Sequence, residues 1–65
     1  MAKRKTPKKP IGQRIKDERR RRGWTQEKLA RVLRVSIKTV SEWERGIALP
    51  GMPSRVKLAT KLGVG

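Results

Sequence analysis

The chain has 65 residues, 19 lysines and arginines against five acidic side chains, and a formal net charge of +14. At this length one domain is the limit, and it buries only about 60% of the surface its unfolded chain exposes. With no cysteine and no histidine, it lacks disulfide staples, the usual zinc ligands and the commonest general base.

Helix packing is then the remaining route to stability. The charge excess attracts polyanions, nucleic acid first and anionic membrane surfaces second. Apolar runs reach only two or three residues, and the basic N-terminus is not followed by the apolar stretch of a secretory signal. The expected location is therefore the cytoplasm, in association with the nucleoid, with no membrane partner.

Residues 1–10, MAKRKTPKKP, hold Lys3, Arg4, Lys5, Lys8 and Lys9, two prolines and no large apolar side chain beyond Met1. Nothing there offsets the entropy of ordering, so the segment is expected to be a disordered basic arm. Contact with nucleic acid is its expected role, and a solubilising tail is the alternative.

Strong helix formers, with Ile11 and Ile15 one turn apart, predict a first helix over residues 11–22. Its apolar line continues to Arg19, which then needs a carboxylate partner, because an unpaired guanidinium at a core edge is costly. Arg20 and Arg21 face away. Gly23 is expected to end the helix in the left-handed conformation.

Thr25 is a good N-cap for a second helix running to Leu33, with Leu29, Ala30 and Leu33 inside and Val32 at the border. Ser36 caps a third helix, which turns Val40 and Trp43 inward and closes at Gly46. Prolines and a glycine make 47–53 a loop. A fourth helix from about Ser54 to Leu62 is expected to bury Val56 or Leu58, with Ala59 and Leu62. No repeat or strand pattern competes. The expected fold is all-α, a compact bundle of four short helices.

With Val40 and Trp43 turned to the core, the third helix keeps an outward face of Ser36, Ile37, Lys38, Thr39, Ser41, Glu42 and Arg45. Most polar helix faces are merely solvated. Here an outward β-branched Ile37 beside Lys38 suits contact with a thymine methyl in the major groove. The five acids, Asp17, Glu18, Glu27, Glu42 and Glu44, show no catalytic spacing. An enzyme is not expected, and neither a metal nor a cofactor is implied.

Trp24-Thr25-Gln26-Glu27-Lys28-Leu29-Ala30, the run Val35–Gly46, Leu58-Ala59 and Leu62-Gly63-Val64 together resemble the phage repressor and Cro class of helix-turn-helix proteins, the xenobiotic-response-element family. The resemblance covers roughly residues 11–64 and implies that residues 11–65 form a DNA-binding domain. It implies base contacts from Ile37, Lys38, Ser41 and Glu42. Lys38 can donate to guanine O6 and N7, and Glu42 can accept from cytosine N4. By the same resemblance Gln26 grips a phosphate, and Ser36, Thr39 and Arg45 are further phosphate candidates, with Arg34 added. It also pairs Arg19 with Glu44. The chain departs from the family at Arg34, which occupies a turn position where glycine is usual, and in lacking the fifth helix with which family members often support dimerisation.

The implied function is sequence-specific binding of double-stranded DNA, most simply as a small transcriptional regulator working as two copies on a palindromic site. Two other readings compete. One is an antitoxin-like protein that masks a toxin and binds its own operator, and the other is a sequence-independent nucleic-acid coat.

Overall fold

The computed structural model describes residues 10–64, and the expected arm, apart from Pro10, lies outside the described residues. Four helices follow in order: α1 Ile11–Arg21, α2 Gln26–Leu33, α3 Ile37–Arg45 and α4 Met52–Leu62. Pro10 is extended at the head of α1, and its carbonyl accepts from Gln13 N at 3.0 Å and Arg14 N at 3.2 Å. Thr25 and Ser36 cap α2 and α3, each hydroxyl oxygen accepting from a backbone N–H three residues on.

Each helix is followed by a left-handed residue and then an apolar one. After α1, α2 and α3 the apolar residue sends its N–H to a carbonyl five residues back, Trp24 to Arg19, Val35 to Ala30 and Ile47 to Glu42, whereas Val64 after α4 reaches six back, to Leu58 at 3.4 Å. The five-residue return is the Schellman arrangement, which needs a left-handed residue just before that N–H and favours an apolar one at it. Glycine fills the left-handed position three times, and Arg34, at φ 61° and ψ 45°, fills it after α2. Of the four apolar residues that follow, Trp24, Val35 and Val64 fold onto the core, whereas Ile47 is exposed.

Arg34 therefore carries the strain of a side chain in a conformation that suits glycine. Arg34→Gly is expected to raise stability by up to about 1 kcal/mol, roughly 4–8 °C in melting temperature for a domain of this size. An unchanged or lower midpoint in a thermal melt would show that the turn is not strained.

The core joins Ile15 of α1, Leu29, Ala30 and Leu33 of α2, Val40 and Trp43 of α3, Leu58 and Leu62 of α4, and Val64. Helix α3 packs on both α1 and α2, and α4 closes the other side against α2 and α1. Ala30 is buried where α2 meets α3, and Gly12 is buried where α1 meets α3. A β-carbon on Gly12 would run into the Trp43 carbonyl oxygen, so the two backbones nearly touch there. On α4, Lys57 Nζ donates to the Leu33 carbonyl at 3.1 Å. That places a cation at the C-terminal end of α2, where the helix dipole favours it.

Two expectations for the last helix are corrected. It starts at Met52 rather than Ser54, with Pro53 in its first turn, where a missing N–H costs nothing. Only Leu58 and Leu62 of this helix are buried, while Val56 and Ala59 face solvent. A short helix touching two neighbours along one edge needs only a narrow apolar stripe, and Leu58 and Leu62 at i, i+4 supply it.

Candidate nucleic-acid interface

The outward face of α3 begins at its cap. Ser36 Oγ accepts from Thr39 N at 3.0 Å and lies 2.9 Å from Thr39 Oγ1. One hydroxyl proton is used between the pair, so one remains to point outward. The cap thus holds both hydroxyls in place at the start of α3. Ile37 is 48% exposed, so its apolar side chain is available for contact from outside. Lys38 is exposed, and Ser41 and Glu42 are half-buried. Helical spacing sets Ile37 above Ser41, and Lys38 above Ser41 and Glu42, on one surface. Arg45 continues that surface toward the end of α3 and is exposed, as is Arg34 at the turn before it.

The pairing of the acids separates this face from the rest of the molecule. Glu18 meets Arg21 and Arg22, Glu27 meets Arg31, Glu44 meets Arg19, and Asp17 accepts from Gln13. Among the described residues, Glu42 is the acid whose side chain makes no such contact, and Lys38 is equally unpaired. They stand at i, i+4, a spacing that would permit an ion pair. Both therefore keep their hydrogen-bonding capacity for something outside the molecule.

Other residues lie inward of this face. Arg19 Nε donates to Glu44 Oε2 at 2.7 Å, and Arg19 Nη2 donates to Glu44 Oε1 at 3.1 Å. The pair is nearly dry, with side-chain exposures of 12% and 3%. Gln26 at the start of α2 is half-buried, and its Nε2 donates to Glu44 Oε1 at 3.0 Å. Sequence reasoning placed Gln26 against phosphate and missed this inward bond, which joins positions 18 apart in the chain and leaves no local signal. It also missed the surroundings of Trp24. The Arg22 guanidinium carbon and Lys28 Nζ each lie 5.8 Å from the ring centroid, within cation–π range.

No pocket opens among the described residues. A helix-turn-helix family profile of the Cro/C1 type matches residues 15–65. The chain belongs to the helix-turn-helix family. In these proteins the second helix of the motif lies in the major groove, and here α2 and α3 are the motif helices. It is thus a DNA-binding domain of the class that carries transcriptional regulators. A search of curated proteins gave no match. No helix among the described residues is long and apolar enough to cross a membrane.

One further surface stands apart. Ile47, Leu49, Met52 and Val56 are 61%, 77%, 72% and 60% exposed. They lie within a ten-residue stretch in which the loop is pinned by the buried Pro50 and by Ala48, packed on the core.

Proposed function

We propose that this helix-turn-helix domain is a sequence-specific reader of duplex DNA and works as a small transcriptional regulator, with α3 in the major groove. The observation that carries this reading is the unpaired Lys38 and Glu42 beside a half-exposed Ile37. That set can meet a guanine, a cytosine and a thymine methyl, with Ser41 as the neutral fourth member. Phosphate contacts from Ser36, Thr39, Arg34, Arg45 and Gln26 hold the helix in register without reading sequence. Lys3, Arg4, Lys5, Lys8 and Lys9 add affinity on any sequence by releasing counterions. Two copies on a palindromic site follow from the need of one small module for a second. The working location is the cytoplasm, at the nucleoid.

Selection from a random duplex pool at near-physiological salt tests the reading. An enriched motif supports a specific regulator, and mirrored half-sites about one helical turn apart support a dimer. Binding without enrichment moves the function to nucleic-acid coating. Lys38→Ala is expected to cost about 1–3 kcal/mol on the selected site and to relax preference at one base pair. Equal losses on every sequence would reduce Lys38 to a phosphate contact.

The exposed Ile47, Leu49, Met52 and Val56 favour a second reading, an antitoxin-like role with a toxin as protein partner. A toxin encoded beside this chain and forming a complex with it is the result that would support this reading.

A further inference from the structure

Glu44 accepts from three nitrogens of two side chains, Arg19 and Gln26. Arg19 reaches both of its oxygens, and the third guanidinium nitrogen, Nη1, donates to the Trp24 carbonyl at 2.8 Å. The ion pair is therefore complete without help from α2. Gln26 nevertheless brings its Nε2 to Glu44 Oε1 at 3.0 Å. A carboxylate oxygen only accepts, so the amide must present its NH2 end inward. One N–H is spent on Glu44, and the second N–H and the amide oxygen are left with a fixed direction. A glutamine loose at the head of a helix would instead lose its rotamer freedom on gripping a ligand.

From this we infer that Glu44 is a positioning residue for DNA binding. It holds the Gln26 amide ready for a phosphate and locks that grip to α3, the helix from which Glu44 projects. The inference rests on the DNA-reading role proposed above and adds the coupling between grip and reader. An α3 that turned or slid would carry the Gln26 tether with it. Base readout and phosphate contact then occur in one fixed register.

The test is a double-mutant cycle on DNA affinity, using the selected duplex and a scrambled one. Gln26→Ala is expected to weaken binding about tenfold on both duplexes. Because a neutral amide releases no counterion, the salt slope should stay as it was. The paired replacement Arg19→Met with Glu44→Leu leaves no stranded charge, so it should fold, and it should weaken binding by a similar factor. Combining all three changes should cost no more than either set alone, since both remove one contact. Losses that multiply, or a folded paired variant that binds as tightly as wild type, overturn the inference while leaving DNA reading intact. A wild-type protein that binds no duplex overturns both. Should the paired variant fail to fold, the Gln26 side-chain amide signals in a nitrogen–proton spectrum decide. Added duplex should shift these signals while their exchange stays slow, and signals that stay unshifted or lose protection overturn the inference.

Discussion

Gly12→Ala is expected to cost about 3 kcal/mol or more, a large share of the stability of so small a domain. Helix propensity alone predicts the opposite, because alanine gains roughly 0.5–1 kcal/mol over glycine in a helix interior. Position 12, though, faces the Trp43 carbonyl, with the Trp43 carbonyl carbon and Glu44 Cα close behind. All three are backbone atoms, which cannot swing aside as a side chain would. To admit a methyl, α1 must back away from α3, opening a gap beside Ile15 and Val40. Urea denaturation reads the outcome as a lower midpoint with an unchanged slope. A Gly12→Ala variant as stable as wild type would mean that α1 and α3 do not cross this closely.

Glu44→Ala should be as damaging for a different reason, at about 3–5 kcal/mol, because it strands the Arg19 guanidinium in a nearly dry site. The loss exceeds the worth of the bond, since the desolvated cation has no other carboxylate at hand. Arg19→Met with Glu44→Leu should recover much of the stability, because paired apolar replacements of a buried ion pair are often neutral or better. A thermal melt of Glu44→Ala without loss would show that water reaches Arg19 easily.

Much of this fold is written in local chemistry. Thr25 and Ser36 announce the starts of α2 and α3, and Gly23, Gly46 and Gly63 mark three helix ends. The apolar spacing of Leu29, Leu33, Val40 and Trp43 gives the core faces directly. Arg19 on the isoleucine line of α1 demanded a carboxylate, but only the family resemblance named Glu44, since helix spacing within α1 says nothing about what α3 presents. Contacts between distant segments were beyond a linear reading for the same reason: the Gln26–Glu44 bond, Lys57 on the Leu33 carbonyl, and Gly12 under Trp43. Gly12 among strong helix formers was the one local signal of such a contact, and it went unused in placing α1. The start of α4 was misjudged because Pro53 looks like a loop residue until its place in the first turn is known. The base-reading roles proposed for Ile37, Lys38, Ser41 and Glu42 rest on the family resemblance, on the exposure of Ile37 and Lys38, and on the absence of an internal partner for Lys38 and Glu42.

The uncovered side chains of Ile47, Leu49, Met52 and Val56 also bear on how the protein behaves in different electrolytes. At low ionic strength a net charge of +14 holds two copies apart over the roughly 30 Å that electrostatic repulsion reaches in 0.01 M salt. Near 1 M that reach collapses to about 3 Å, and apolar side chains on neighbouring molecules can meet. Concentrated salt, the condition that strips such a protein from DNA, is therefore also the one in which it should begin to self-associate. Colloidal stability and release from the duplex pull in opposite directions, and both follow from the same excess of lysine and arginine.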